Sequence, residues 1–513
     1  MPLIGRTYVR FVFGRQWWHV RPFEGDVRTL QHAITERCLV VKRDGKFCPR
    51  PPVLVDDSFC RVKEEFAKYV TLSSPLTAVE FTSSRPGRKK RLYQRIESDF
   101  DITVYDFHRE AKTSAFVKCE KTQQRTPPNG DNPGLNKDPI PRCINTRSAP
   151  FHMLYGRYTV PIEKQVYKVW EKVFGYPIIT KCMNTTDKAA LIVSHWNHVA
   201  QYGRPCAVFM DYARMDQHEQ TPALTFGHWT TAVFYSEEHQ PTLNRVLRRQ
   251  LNNTATARCK DGYLRANLRD MRMSGDMDTS LGNNSIACGN IYEYLLDIGI
   301  DMDMVRAIDD GDDAGLFIPE QLLHMFDGIS EWYLRRGFSL TLEDPVFELE
   351  HIVYCQTRPI NLGHKWMMVR DPEKVLNTDL SGYRNLYDIK YCRELFHAIG
   401  SGGLALARGV PILQEFYIMA QRVGKKGKTL ADFDEVSHFG WARLARMEGM
   451  HSSPIPISDE ARISFWKAFG ITPSNQVIIE EDLANVVMSE EMHWGLATDD
   501  YTSTQHSLPL DPY

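Results

Sequence analysis

Residues Ile308-Asp309-Asp310-Gly311-Asp312-Asp313-Ala314 set four carboxylates around one glycine. Val305, Ala307 and Ile308 lead in, and Ala314, Leu316 and Phe317 lead out, so the stretch reads as a tight β-hairpin with its acids at the turn. Carboxylates this close repel one another, and a divalent cation is the usual remedy. A calcium loop does not fit. With Gly315 at its sixth position, the fifth would be Ala314 and the twelfth Gln321; with Gly311 there, the first would be Arg306. A lone acidic turn is more often an exposed, solvated loop, so its meaning depends on its company. A second carboxylate source lies far upstream. Cys206-Ala-Val-Phe-Met-Asp211 is a short apolar run ending in an acid, as in a buried strand delivering Asp211 to its tip, and Asp216 follows.

Anion-binding and hydroxyl-reading candidates flank these acids. Arg85-Pro-Gly-Arg88-Lys89-Lys90-Arg91 is a basic turn opening a helix that could hold nucleic-acid phosphates. Phe116–Lys121 and Pro141–Ile144 read as two strands joined by a basic, Pro/Asn/Gly-rich loop. Lys118, Lys121, Lys137 and Arg142 there could clamp a triphosphate, Arg by a bidentate grip and Lys as a point charge. Ser274-Gly275 makes a flexible loop, and Thr279 and Asn283, four apart, share one face of the helix that follows. A hydroxyl and an amide on one face can read a sugar hydroxyl, because each both donates and accepts.

The elements that must position these groups are legible in outline. The chain has 513 residues, 42% of them hydrophobic, enough for a large core and too many for one simple domain. With a net charge of −2, any nucleic-acid surface must come from local clustering of Lys and Arg, as between residues 242 and 272. The 11 cysteines include no Cys-x-x-Cys pair, which argues against a zinc ribbon or disulfide scaffold and for reduced thiols. No run of 18 apolar residues spans a membrane, and Arg6, Arg10 and Arg15 interrupt any signal-peptide core. Trp17 and Trp18 beside Arg15 and Arg21 could touch a membrane surface; strands packed on a larger body are the preferred reading. Helices are expected over Pro161–Val173, started by Pro161, and over Pro319–Arg336, stopping before Gly337. A strand is expected over Val346–Cys355, a turn over Gln356–Pro359 and a return strand over Trp366–Val369. From Lys374 the pattern is helical, with Tyr383–His397, Ile412–Arg422, Asp432–Met447 and Asp459–Phe469, before a polar tail.

This ordered set, closed by Cys355-Gln356, resembles the RNA-dependent RNA polymerases of positive-strand RNA viruses, nearest to their tombusvirus-like (carmovirus-like) group. The resemblance covers about residues 70–470. It is carried by Gly87-Arg-Lys-Lys90, Val117-Lys-Cys-Glu-Lys121, Gly156-Arg-Tyr158, Met215-Asp-Gln-His218, Met273-Ser-Gly-Asp-Met277, Glu343-Asp-Pro-Val-Phe347 and Gly311-Asp-Asp313. It implies an α+β right-hand fold: fingers with an N-terminal extension (1–205), palm (206–225 and 271–373) around a fingers insertion (226–270), a helical thumb (374–500) and a flexible tail (501–513).

Carried over residue by residue, the resemblance makes Asp211 and Asp312, assisted by Asp313, ligands of two Mg²⁺ (or Mn²⁺) ions about 3.5–4 Å apart. These would serve an in-line attack of an RNA 3′-hydroxyl on a nucleotide α-phosphate. Asp216, Ser274, Thr279 and Asn283 would sense the ribose 2′-hydroxyl. Lys118, Lys121 and Arg142 would neutralise the triphosphate, with Lys137 a looser match. Arg88, Lys89, Lys90 and Gly275 would contact RNA, and Cys355-Gln356 would grip the primer strand. Two departures stand out. Gly337–Pro345 contains no Lys to serve as general acid for pyrophosphate, leaving Arg335, Arg336, His351 or water. Asp309 and Asp310 precede the glycine where relatives more often have an uncharged residue. The implied partners are RNA template and product, nucleoside triphosphates and other viral replication proteins, at membrane-associated complexes in the host cytoplasm. The rival readings are a non-catalytic RNA-binding replication subunit and a reverse transcriptase, the latter disfavoured by Asp216 and Asn283.

Overall fold

The computed structural model describes residues 18–21, 23, 25–43, 45–55, 59–118, 122–125, 140–380, 389–430, 433, 441–449 and 453–487. Helix and sheet are mixed along the chain. The strands nearest the acidic residues are, in chain order, β1 (Thr113–Val117), β2 (Cys143–Thr146), β3 (Pro205–Tyr212), β4 (Asn252–Cys259), β5 (Gly262–Arg269), β6 (Arg306–Asp309), β7 (Asp313–Pro319), β8 (Leu340–Leu342), β9 (Thr357–Asn361) and β10 (Trp366–Arg370). The helices packed on them are α1 (Val27–Ile34), α2 (Gly87–Glu97), α3 (Ala149–Phe174), α4 (Thr185–Val199) and α5 (Thr279–Asp297).

One sheet has the order β6-β7-β3-β8 and is antiparallel throughout. Its central strand β3 is covered on both faces, as the unbroken apolar run 206–210 requires. The period of two divides its side chains between two cores. Cys206, Val208, Met210 and Tyr212 join Ala307, Ala314 and Leu316 in the core built with α3 and α5. Ala207 and Phe209 join Ile308 and Phe317 in a second core against α4. Gly315 is where the sheet closes tightly: a Cβ there would come within 2.4 Å of the Phe209 ring.

A second sheet has the order β2-β1-β4-β5. Its inner face, with Ala115, Val117, Cys143, Ala255, Ala257 and Leu268, packs on Leu30, Ala33 and Ile34 of α1. The strand pair expected around Val117 and Cys143 is present and antiparallel. The β9–β10 hairpin and the helices Ile389–Ala407, Leu413–Val423, Asp459–Phe469 and Pro473–Asn485 share a further core. Trp18–Arg21 is a strand paired with Thr122–Arg125; Trp17 lies outside the described residues.

Several expected elements differ. The helix expected to start at Pro161 begins twelve residues earlier, at Ala149, behind the Ser148 cap. Proline has no N–H for the Arg157 carbonyl, and the Leu76 N–H takes that acceptor instead at 2.9 Å, so the helix continues through it. Pro319–Arg336 is not one helix but a 3₁₀ stretch, Glu320–Phe326, and a short helix, Ile329–Arg335, divided at Asp327-Gly328. Val346–Cys355 is not a strand. Glu350, Ile352 and Tyr354 do alternate inward, but the segment meets other backbone only at single bridges of Val346 and Tyr354. The strand pairing along this edge of β3 is β8, which the sequence reading missed. The reversal falls at Cys355-Gln356, both at positive φ, so Thr357–Pro359 already belongs to β9. Helix resumes at Pro372 rather than Lys374, the helix through His397 continues to Ala407, and within the expected Asp432–Met447 helix Trp441–Met447 is helical while Phe433 is not. Pro473–Asn485 was not anticipated, and the expected tail, 501–513, lies outside the described residues.

Candidate active site

The hairpin expected at the acidic turn is formed by β6 and β7, with Asp310 N–H donating to the Asp313 carbonyl at 2.9 Å and Gly311 at φ 91°. Asp211 pairs directly with Asp313 across β3 and β7, and the Tyr212 N–H donates to the Asp312 carbonyl at 3.0 Å. Three carboxylates thus gather at one end of two adjacent strands. Asp211 and Asp312 remain open to solvent. All three hold their protons above the usual range. For Asp211 the causes are burial and then Asp312; for Asp312 they are burial, then Asp216 and Asp310 against Arg142. Asp313 is pushed up to about 6 by burial, Asp312 and Asp211. Burial and Asp211 also raise Glu343, a further carboxylate at this edge.

The other two acids of the turn have been diverted. Strand alternation sends Asp309 to the opposite face, with Ala307 and Ala314. There it is fully buried against Cys288 of α5, accepts from the Gly311 N–H at 3.2 Å, and is driven strongly toward its protonated form by burial and Asp310. Burial would raise Asp310 too, but Lys188 and Lys181 outweigh it and hold that carboxylate below its ordinary range. Lys188 Nζ of α4 lies 2.6 Å from Asp310 Oδ2, and Cys355 Sγ lies 3.7 Å from the same oxygen. The structure therefore brings the Cys355-Gln356 turn to the acidic hairpin, with the Gln356 amide oxygen accepting from Lys374.

Asp216, Ser274 and Asn283 meet as a trio. Ser274 Oγ donates to Asp216 Oδ2, and Asn283 Nδ2 donates to Asp216 Oδ1 at 2.9 Å, leaving the buried Asn283 Oδ1 unmatched. Thr279 shares α5 with Asn283 but is turned to the loop before it, with Oγ1 donating to the Met273 and Asp276 carbonyls at 3.2 and 3.1 Å. Beneath that loop lies a buried ionic lattice with no sequence signal. Arg272 pairs with Glu219 and with Asp278 at 2.8 Å; Arg147 pairs with Asp276 and reaches Asn253 at 2.7 Å; Gln250 bridges Asp276 and Asp278, both at 2.9 Å. The Arg272 N–H also donates to the Asp216 carbonyl at 3.0 Å, tying loop to trio.

On the cationic side, Arg142 acts directly on Asp312, and the Lys118 N–H holds the Arg142 carbonyl at 2.7 Å. Arg37, next to α1, lowers Asp211 and donates to the Ile140 carbonyl at 3.2 Å; nothing in its sequence context marked it. Gly87 starts α2 as expected. Lys89 and Lys90 are exposed on it, and the half-buried His152 is held below its ordinary range by burial, then Arg147 and Lys89. Gly275 packs against the Asn145 carbonyl, where a Cβ would come within 2.9 Å. Lys121, Lys137 and the Arg88 side chain lie outside the described residues. Of the groups considered for general acid, the Arg336 guanidinium covers Trp332 at 4.1 Å among Glu293, Asp297 and Arg61, and is committed there.

Residues 16–491 match the family model described as viral RNA dependent RNA polymerase. The chain is 32% identical over 482 residues to the RNA-directed RNA polymerase of Oat chlorotic stunt virus, covering 90% of this chain and 61% of the relative. It is 30% identical to that of Turnip crinkle virus (90% and 57%) and 29% identical to that of Carnation mottle virus (90% and 58%). The chain thus spans about three fifths of the length of the curated relatives it matches.

Proposed function

The chain belongs to the viral RNA-dependent RNA polymerase family, and from that premise we propose that it makes RNA on an RNA template, replicating a positive-strand RNA virus genome. The observation that carries this reading is the register that sets Asp211 opposite Asp313, beside Asp312, with the Asp216–Ser274–Asn283 trio near them. In this reading the β6-β7-β3-β8 sheet with α3 and α5 is the palm, the β2-β1-β4-β5 sheet belongs to the fingers, and the helices after Pro372 form the thumb, with boundaries at 206–225, 226–270, 271–373 and 374–500.

Two divalent ions, Mg²⁺ or Mn²⁺, fit the donor set. Three crowded carboxylates with raised affinity for protons gain most from a cation placed among them. Among the described residues no three carboxylate, imidazole or thiol groups close around a common point. Mg²⁺ commonly takes one or two carboxylates and completes its shell with phosphate oxygens and water. Asp211, Asp312 and Asp313 would hold them, and bound there they would lower the pKa of the attacking 3′-hydroxyl and stabilise the leaving pyrophosphate.

The protein's own groups do the rest. Arg142 and Lys118, with Lys121, offset the charge of the triphosphate. Asp216, fixed by Ser274 and Asn283, presents its carboxylate to a 2′-hydroxyl and would be left without that donor by a deoxyribose, which favours ribonucleotides over the substrates of a reverse transcriptase. Cys355-Gln356 lies beside the hairpin where the primer strand would end.

The test is incorporation of labelled nucleotides on a short RNA template, with wild type beside Asp312→Asn. Synthesis by wild type, reduced at least about a hundred-fold in the variant, is expected, since the site supplies several kcal/mol of charge stabilisation. Tight RNA binding with no synthesis in either protein would instead support a non-catalytic replication subunit. The proposed setting is membrane-associated replication complexes in the host cytoplasm, reached through other viral replication proteins. No helix among the described residues is long and apolar enough to cross a membrane. Flotation of this chain with membranes when expressed alone would overturn recruitment through partners.

A further inference from the structure

One turn of π-helix, Thr35–Leu39, continues α1 and joins two parts of the candidate site that lie far apart in sequence. On one side Arg214 donates to the Glu36 carbonyl, and the Gln217 amide donates to the Val40 carbonyl at 2.9 Å. These bonds fasten the turn to the segment that carries Asp216. On the other side Arg37 donates to the Ile140 carbonyl at 3.2 Å, and the Sγ atoms of Cys38 and Cys143 lie 3.9 Å apart. These fasten it to the start of β2, beside Arg142. The sulfur pair is the fastening whose chemistry the proposed reaction does not use.

Cys38 and Cys143 are 105 residues apart in sequence and only 5% and 7% exposed, in the core that α1 shares with its sheet. The two thiols share a hydrogen bond. That bond, then Asn145 Nδ2 at 3.7 Å from Cys143 Sγ and the Arg37 guanidinium, hold Cys143 below the ordinary thiol range against burial. The same bond, with burial, pushes Cys38 well above that range. Cys143 is therefore the thiolate of the pair, and a thiolate is the form that oxidants attack. A second thiol against it diverts the first oxidation product into a disulfide, away from the irreversible acids.

We propose that Cys38 and Cys143 are a redox modification site, at which a peroxide closes a reversible disulfide that ties Thr35–Leu39 to β2. The Cys143 thiolate attacks one peroxide oxygen. An S–O bond forms, the O–O bond breaks, and the departing hydroxide takes up the proton Cys143 had released, giving water. The Cys38 sulfur then attacks the sulfenic sulfur. The S–S bond forms, the S–O bond breaks, and the hydroxyl leaves with the Cys38 proton as a second water. The two thiols lose two electrons and the peroxide gains them, and a thiol reductant reverses the bond by exchange.

The bond has a consequence for the acidic site. A disulfide sets its sulfurs about 2 Å apart, so closure draws this pair, now 3.9 Å apart, together by roughly 2 Å. Arg37 and Arg142 adjoin the two cysteines in sequence and act on Asp211 and Asp312 respectively. Asn145, two residues past Cys143, holds the Ser274 carbonyl at 2.8 Å through its N–H. Displacing substrate-positioning groups by about 1 Å costs on the order of a hundred-fold in rate, so the oxidised chain uses nucleotides more slowly. This consequence rests on the polymerase reading above; the disulfide does not.

The test treats the whole chain with hydrogen peroxide, blocks remaining thiols with N-ethylmaleimide, and maps peptides by mass spectrometry without reductant. A cross-linked pair holding Cys38 and Cys143, lighter by two hydrogens than its reduced parts, is expected, and dithiothreitol should remove it. Nucleotide incorporation on a short RNA template should fall at least about ten-fold after peroxide and return with dithiothreitol. Cys38→Ser and Cys143→Ser should match reduced wild type and keep their rate through peroxide, with melting temperature checking that both fold. Absence of the cross-link in wild type overturns the proposal, whatever the variants do. A cross-link that leaves incorporation unchanged overturns its effect on the site, and so does an equal loss in the serine variants, which would assign the effect to another thiol. If the cross-link formed but the reduced chain made no RNA, the modification site would stand and the polymerase reading would fall.

Discussion

Asp313 stands between Asp211 and Asp312, and its raised pKa has a definite sign. Folded and free of cations, its carboxyl keeps the proton up to about 6; unfolded, it releases it near the ordinary 3.8. The folded state therefore binds more protons across that window, and its stability falls as pH rises from about 4 to 6, by at most about 3 kcal/mol. A divalent ion competes with the same proton. Its affinity should rise by up to about ten-fold per pH unit below 6 and level off above, a trend that calorimetric titration with Mg²⁺ would reveal. Equal affinity at about pH 5 and pH 7 would separate the metal from Asp313. At Asn283 the consequence is selectivity. Asn283→Ala removes the donor to Asp216 Oδ1, freeing the carboxylate to turn. The preference for ribo- over deoxyribonucleotides in kcat/KM should drop by about 10- to 100-fold, with single-nucleotide incorporation as the readout.

At the scale of elements, two joints hold the site. The first ties α4 to the acidic turn through Lys188 and Asp310, both largely out of solvent. Lys188→Met leaves the Asp310 charge with only the more exposed Lys181 and should cost up to about 3 kcal/mol, while adding Asp310→Asn should recover most of it. Chemical denaturation of the two single variants and the double variant measures this, and additive losses would refute the joint. The second seats Arg272 against α5 at Gly282, where a Cβ would stand 2.2 Å from the guanidinium. Gly282→Ala must displace a buried, doubly paired arginine, so a loss of about 1–3 kcal/mol and slackening of the Ser274 loop are expected, seen as a lower melting temperature. These joints also explain what the sequence could convey. Acids at a turn, an apolar run ending in Asp211 and a Ser-Gly before a helix are local patterns, and each was legible. Lys188, Arg37, Arg147 and Arg272 work through partners six to 174 residues away, and a single buried arginine has no period to betray it. The same limit hid β8. Its three residues alternate no better than Val346–Cys355, and only pairing with β3 distinguishes them.

At the scale of the whole molecule, burial falls into separate cores. One joins α3, α5 and the even positions of β3; another joins the β9–β10 hairpin to the helices from Ile389 to Asn485. Between them α4 packs on β10 and contributes Ala189, Ile192 and Val199 to a small shared core, while the Glu448 carboxylate accepts from Thr185 and Thr186 at the start of α4. Separate cores let the two bodies open at different free energies, as expected for a chain of this length. Hydrogen exchange read by mass spectrometry under mild denaturant should resolve at least two cooperative units, divided near Pro372. The proposed chemistry then predicts how a ligand redistributes that stability. Mg²⁺ binds only the folded carboxylates, so it should slow exchange in β3, β6 and β7 by a factor that grows with its concentration. The helices Ile389–Ala407 and Leu413–Val423 share no carboxylate with that site, and their exchange should not move. Uniform protection of both bodies would mean they unfold as one, coupled through the core at α4. No protection anywhere would take the metal away from the acidic hairpin.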